Sequence, residues 1–241
     1  MLEIDGLRVR FDGVQALAGL TLTVPAGTRL GVIGPNGSGK TTLLNAISGL
    51  VAIASGTIRL DGREISRLAP HEIARSGVAR TFQAVRLFHR LSVLDNVLPD
   101  AGPRAAPAAD ARRAALEALE AVDLGGRRNA MAGDLSFFEQ RRLEIARAIA
   151  QQPRLLLVDE PTSGLSRAEA EAIVAILTHR VDVATTVLMI EHNVNAIEAL
   201  CPRAIVLVEG NLTADAPTKD LLHDQRLAGV YFGSQSRADR G

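Results

Sequence analysis

One cysteine, Cys201, is all the chain carries, which excludes an internal disulfide and suits a reducing compartment. Neither charge is in excess: lysine plus arginine and aspartate plus glutamate each total 27 in 241 residues. The overall charge therefore gives no sign of a nucleic-acid partner. Although 47% of the residues are hydrophobic, no run approaches the ~20 apolar residues of a membrane helix. The first residues, Met1-Leu2-Glu3-Ile4-Asp5, lack the basic-then-apolar layout of a secretory leader. Any role at a membrane is expected to be peripheral. The length suits one domain with subdomains and leaves ample material for a core.

Among what is present, Gly34-Pro35-Asn36-Gly37-Ser38-Gly39-Lys40-Thr41 stands out. Two glycines five apart, followed by Lys and Thr, form a phosphate-binding pattern. The apolar stretch 30–33 before it reads as a buried strand, and residues 42–47 after it read as a helix that Gly49 can end. Strand, glycine loop and helix are the context such a loop needs. The glycines let backbone N–H groups turn inward around a polyphosphate without a Cβ in the way. On this reading Asn36, Gly37, Ser38, Gly39, Lys40, Thr41 and Thr42 surround the phosphates of a nucleotide. Lys40 reaches the β- and γ-phosphates and the Thr41 hydroxyl holds Mg²⁺.

Residues 7–11 and 20–24 alternate with a period of two and read as half-buried strands; 57–60 is another, entering a turn at Asp61-Gly62. A short helix is expected over 70–76, with Pro at its first turn, and a strand over 78–83. The middle then changes character. Ser92 has cap spacing to Asp95, 99–107 reads as a loop, and 108–122 as a helix with Ala115, Leu116, Leu119 and Val122 on one face. A further helix begins near Ser136, and its Arg141, Arg142 and Arg147 read most simply as a solvated face. The apolar strand 155–158 ends in Asp159 and Glu160, and the strand 185–190 ends in Glu191 and His192. Chemistry in parallel α/β sheets gathers at these carboxyl ends. Asp159 is placed to hold Mg²⁺ through water, and Glu160 to polarise an attacking water. The last strand is expected over 204–208, with short helices in 217–232.

The phosphate loop, Gln83, Asp159-Glu160 and His192 occur in the order and approximate spacing of an ABC-transporter ATP-binding subunit, which the whole chain resembles. The stretch Arg80-Thr81-Phe82-Gln83-Ala84-Val85-Arg86-Leu87-Phe88 is most similar to the ATP-binding subunits of branched-chain amino acid importers. Leu143-Glu144-Ile145-Ala146-Arg147-Ala148 and Val230-Tyr231-Phe232-Gly233 are similar too. The resemblance implies a single α/β cassette: a P-loop NTPase (RecA-like) core with an N-terminal antiparallel β subdomain and an inserted helical subdomain. Its expected divisions are 1–83, 84–152 and 153–241. It implies that Phe11 stacks on adenine, that Gln83 meets Mg²⁺ and the attacking water, that Glu160 is the general base and that His192 holds the γ-phosphate. It further implies transmembrane permease subunits, a solute-binding protein outside the cell, a place at the cytoplasmic face, and a second ATPase subunit whose signature motif completes each nucleotide site. No nucleic acid is implied.

Two departures from the family pattern follow. Where the family reads Leu-Ser, any residue, Gly-Gln, this chain has Leu135-Ser136-Phe137-Phe138-Glu139. Ser136 keeps its place, but Phe138 replaces the glycine whose N–H approaches the partner's γ-phosphate, and Glu139 sets a carboxylate near a polyanion. If that glycine has positive φ, Phe138 costs roughly 1–2 kcal/mol, and a lost hydrogen bond to charged phosphate roughly 1.5–3 more. A loss on the order of 100-fold in transition-state stabilisation is expected. In Thr162-Ser163-Gly164-Leu165-Ser166 the family usually ends in Asp, and coupling between sites is what the change puts in doubt. A partner with an intact signature, hence a heterodimer, is the expectation.

Overall fold

The computed structural model describes residues 1–98 and 108–223; the loop expected over 99–107 and the similar stretch at Val230 lie outside them. The alternating segments form β1 (Leu2–Phe11) and β2 (Val14–Val24), an antiparallel hairpin turning at Asp12 and Gly13. The buried strand β3 (Arg29–Ile33) then delivers the chain to the glycine loop and α1 (Lys40–Ile47). Next come β4 (Ser55–Leu60) and β5 (Arg63–Glu64), which complete a four-stranded sheet in the order β2-β1-β4-β5. Helix α2 (Pro70–Arg75), with Pro at its first position, leads into β6 (Val78–Arg80).

Three helices, α3 (Val93–Val97), α4 (Ala108–Ala121) and α5 (Phe137–Ala150), separate β6 from β7 (Leu155–Asp159). Then α6 (Arg167–His179), β8 (Thr186–Ile190), α7 (Val194–Leu200), β9 (Arg203–Val208), β10 (Asn211–Pro217) and α8 (Thr218–His223) follow. The second sheet has the order β10-β9-β3-β8-β7-β6, parallel throughout except for β10. This is the expected α/β architecture. It brings the ends of β3, β7 and β8 together on one edge, which is what builds the site.

Period two decides how the core divides. Leu155 and Leu157 of β7 point to the face covered by α1 and the antiparallel sheet, whereas Leu156 and Val158 pack with Leu119, Val122, Leu143 and Ile145 of the helical region. All four are fully buried, so the strand reads as a continuous apolar run rather than an alternating one. Cys201 is buried as well, and desolvation pushes its thiol up to about 12.

Two expectations about strands need correction. The chain does not end its sheet at Val208. It returns as β10, whose side chains alternate between exposed and half-buried, an edge pattern with Pro217 at the last position. The strand expected over 78–83 stops at Arg80. Thr81 N–H still donates to Leu157 O at 2.9 Å, but Phe82 N–H turns away to Glu144 Oε1 at 3.1 Å. A buried carboxylate on α5 captures the chain and peels Phe82 and Gln83 off the sheet.

Candidate functional site

The glycine loop is cut to backbone dimensions. A Cβ on Gly34 (φ 151°) would lie 2.1 Å from Leu207 O, and one on Gly39 (φ 102°) 2.6 Å from Ala16 O, so neither position admits a side chain. The Lys40 ammonium folds back over the loop, donating to Gly34 O at 2.8 Å and Pro35 O at 2.9 Å. Burial lowers its pKa, against the opposing pull of Glu160 and Asp159. Among the described residues, no protein acceptor takes a hydrogen bond from the N–H groups of Gly39, Lys40, Thr41 or Thr42. Ser38 Oγ is buried and also without a partner. The first turn of α1 has no acidic residue to occupy that positive end. Asn36, Gly37 and Thr41 are exposed at the loop's rim.

Opposite the loop, β7 ends in Asp159 and Glu160. Asp159 is 2% exposed; its Oδ2 accepts from Arg80 Nη2 at 3.0 Å, while its Oδ1 is buried with no partner. Glu160 adopts a left-handed φ of 46°, costly for a residue with a Cβ, and is held there by its N–H donating to Ile190 O at 2.9 Å. That turn aims its carboxylate between two other strand ends. Gln83 Nε2 donates to Glu160 Oε2 at 2.8 Å, and His192 Nε2 lies 3.1 Å from Glu160 Oε1. Two residues, 77 and 32 positions from Glu160 in sequence, are thus within hydrogen-bond reach of its carboxylate.

Glu191, beside His192, accepts from the backbone N–H groups of Thr162 (2.8 Å), His192 (2.8 Å) and Asn193 (3.1 Å). It fixes the 162–166 segment to the end of β8. At its other end this segment is anchored by Ser166, which caps α6 reciprocally with Glu169.

The arginines of α5 are not a solvated face. Arg141 is 1% exposed, paired with Glu144 at 3.0 Å, and donates to Phe82 O at 2.7 Å and Gln83 O at 2.8 Å. Arg147 donates to Arg86 O, and Arg142 donates to Val122 O at 3.2 Å with its guanidinium 4.6 Å from the Phe138 ring. Arg141 and Arg147 satisfy carbonyls of the segment that leaves the sheet, and Arg142 satisfies one just after α4. Burial pushes the Glu144 carboxyl up, partly offset by Phe82 N–H and Arg141. A signal did exist in the sequence: 141, 144, 145 and 148 share one helix face, and Ile145 and Ala148 on it are apolar.

At the start of α5, Ser136 Oγ accepts from Glu139 N–H at 3.2 Å and Glu139 Oε2 accepts from Ser136 N–H at 2.9 Å, the expected capping box. Phe138 lies inside the helix and is not among the residues with positive φ, so the expected backbone strain does not arise. Its N–H also remains without a protein acceptor among the described residues. The phenyl packs on the helical core instead. Glu139 is held below the usual carboxylate range, first by the Ser136 N–H and also by Arg127, 3.6 Å away. The backbone-strain part of the expected handicap is therefore absent, and the bulk of Phe138 and the charge of Glu139 remain. Phe137 is exposed, its ring beside Gly164.

The structure thus brings Lys40, Asp159, Glu160, Gln83 and His192 to one edge of the sheet. Ser136 sits apart, at the head of α5. Phe11, 45% exposed, ends β1 on the hairpin whose return strand places Ala16 O beside Gly39.

A family model described as ABC transporter matches residues 17–163, more than half of the chain. The chain belongs to this family. It is 37% identical to the high-affinity branched-chain amino acid transport ATP-binding protein BraF of Pseudomonas aeruginosa, over 97% of this chain and 98% of that one. It is 35% identical to the lipopolysaccharide export system ATP-binding protein LptB of Escherichia coli, with 98% of each covered. Among solved structures, the ADP conformation of MJ1267, an ATP-binding cassette of an ABC transporter, superposes with a TM-score of 0.86 at 27% identity, covering 97% of this chain and 98% of that chain. The dimeric cassette MJ0796 superposes at 0.79 and 27% identity, covering 90% and 99%. The cassette is an ATPase, and cassettes of this family bind ATP or ADP. Its donor set fits a magnesium nucleotide: free N–H groups in a loop where Gly34 and Gly39 leave no room for a Cβ, and two buried oxygens, Ser38 Oγ and Asp159 Oδ1, with no protein partner among the described residues.

Proposed function

We propose that this cassette is the energy-coupling ATPase of a membrane importer for branched-chain or related amino acids or small solutes. The observation that carries the catalytic part is the convergence of Gln83 and His192 on Glu160, across the sheet edge from Lys40. Lys40 exchanges the Gly34 and Pro35 carbonyls for the β- and γ-phosphates, and the N–H groups from Gly39 to Thr42 complete the cradle. Asn36 and Gly37 line its rim, Ser38 lies beneath it, and Phe11 stacks on the adenine. Thr41 Oγ1, Gln83 and Asp159 Oδ1 would hold Mg²⁺, which would supply countercharge for the phosphates. Glu160 takes the proton of the attacking water. His192, next to Glu160, orients it and donates to the γ-phosphate.

Ser136 serves the facing subunit's nucleotide. We place the cassette at the cytoplasmic face of the membrane, beside a second ATPase subunit of different sequence with an intact signature. The permease docks by the cleft of about 460 Å³ lined by Phe82, Arg86, Phe88 and Arg147. A solute-binding protein outside the cell feeds the permease. Likeness to BraF, and to LivG of Escherichia coli at 34% identity, supports the amino-acid reading. LptB, at a similar identity, serves export, so direction belongs to the permease.

A second reading is a weakly hydrolysing regulatory subunit, favoured by Phe138 and Glu139. The test is co-expression with permease subunits encoded beside this chain, followed by co-purification and ATP turnover. Co-purification with substrate-stimulated turnover supports the importer reading. Nucleotide binding without turnover in that complex favours the regulatory one, and failure to co-purify contradicts both.

A further inference from the structure

Arg80 stands three residues before Gln83 and carries no role so far. Its guanidinium is nearly inaccessible, with a side chain 7% exposed facing an Asp159 side chain that is 3% exposed. Nη2 donates to Asp159 Oδ2 at 3.0 Å, and Nη1 donates to Asn45 Oδ1 at 2.7 Å and Ser48 Oγ at 2.9 Å. One planar fork therefore ties the end of β7 to α1, the helix that grows from the glycine loop. Two charges that deep are stable only where geometry and further hydrogen bonds compensate desolvation. The fork leaves Asp159 a single unengaged oxygen, the buried Oδ1.

We propose that Arg80 is a positioning residue that locks Asp159 so that Oδ1 alone faces the metal's hydration shell, at a fixed distance from α1. The inference rests on the reading above in which Asp159 serves Mg²⁺. The same side chain lies 4.9 Å from the centre of the Phe82 ring, whose other contact is Arg86 at 4.1 Å. Phe82 and Arg86 line the cleft assigned to the permease, so Arg80 also gives that cleft a physical connection to the metal carboxylate.

Charge and geometry make opposite demands on a variant. If Arg80 merely neutralised Asp159, removing its positive charge would strengthen Mg²⁺ binding. If it orients Asp159, a change that keeps the charge but loses the fork weakens it. Arg80→Lys makes this separation, because an ammonium cannot bridge Asn45, Ser48 and Asp159 in one plane.

The measurement is the Mg²⁺ concentration that half-saturates tightening of a fluorescent, non-hydrolysable ATP analogue, with Mn²⁺ paramagnetic resonance as a direct view of the ion. Affinity for the analogue in EDTA reports an intact loop and fold. For Arg80→Lys the half-saturating concentration should rise about tenfold, the scale on which outer-shell partners tune metal sites, with the EDTA affinity unchanged. Asn45→Ala, a milder change should Arg80→Lys fold poorly, should raise it roughly threefold. Asp159→Asn should raise it at least as much as Arg80→Lys. An unchanged or lower value in Arg80→Lys or Asn45→Ala, with Asp159→Asn raised, overturns the role of Arg80 alone. No change in Asp159→Asn overturns the metal reading and this inference with it.

Discussion

The strand-end half of the site and the head of α5 treat their polar groups in opposite ways. Around Lys40 and Asp159 the protein leaves donors and acceptors without protein partners: four loop N–H groups, Ser38 Oγ and Asp159 Oδ1. At Ser136 and Glu139 it satisfies them internally, through a reciprocal cap and Arg127. Unsatisfied buried groups are expensive, and a ligand that completes those around Lys40 and Asp159 removes that cost. The first half is therefore built to bind. The second is built chiefly to start a helix, and Phe138 N–H is left without an acceptor among the described residues.

The largest expected effect breaks the first half's chemistry without touching its binding. Glu160→Gln should reduce turnover by about 10²–10⁴-fold with nucleotide affinity unchanged, read by steady-state phosphate release and equilibrium titration. Next comes the connector between the halves. Arg141→Met leaves Glu144 buried and unpaired, and should destabilise the protein by about 3–5 kcal/mol in urea denaturation. It should also loosen Gln83, whose carbonyl Arg141 holds.

Much of the first half was legible in the sequence, and the reason is geometric. Gly34 and Gly39 are demanded by backbone collisions, and Asp159, Glu160 and His192 follow apolar runs whose ends a parallel sheet must align. Arg80 and Glu191 were not legible as site residues, and for Arg141 and Glu144 the one hint was the helix face they share with Ile145 and Ala148. Each works through contacts between segments far apart in the chain, and an arginine on a helix reads as a solvated residue unless its burial is known. Edge strand β10 was missed because its alternation is weakly apolar. The strain anticipated at Phe138 came from assigning a glycine's φ to a position that is simply helical here.

Smaller effects sharpen the view of the second half. Phe138→Gly with Glu139→Gln should raise turnover of the chain alone by roughly three- to tenfold, less than an intrinsically strained signature would give, because only bulk and one screened charge are removed. The smallest effect is on pH. Glu139 has a lowered pKa in the folded protein, so its contribution to the start of α5 is fully present above the ordinary carboxylate range and is lost as pH falls through the folded value. Hydrogen exchange in the first turn of α5 should quicken, relative to the rest of the helix, as pH is taken below the ordinary carboxylate range, and Glu139→Gln should abolish that dependence.

The contrast itself is tested most directly by mixing chains. A variant carrying Lys40→Ala, Phe138→Gly and Glu139→Gln has no working phosphate loop but offers a repaired signature. Added to the unaltered chain, it should raise ATP turnover above that of the unaltered chain alone, because the intact loop now meets a better partner, although the variant by itself turns over nothing. Turnover that stays level or falls as the variant is titrated in, while the mixed dimer demonstrably forms, would show that the weakness does not lie at the head of α5.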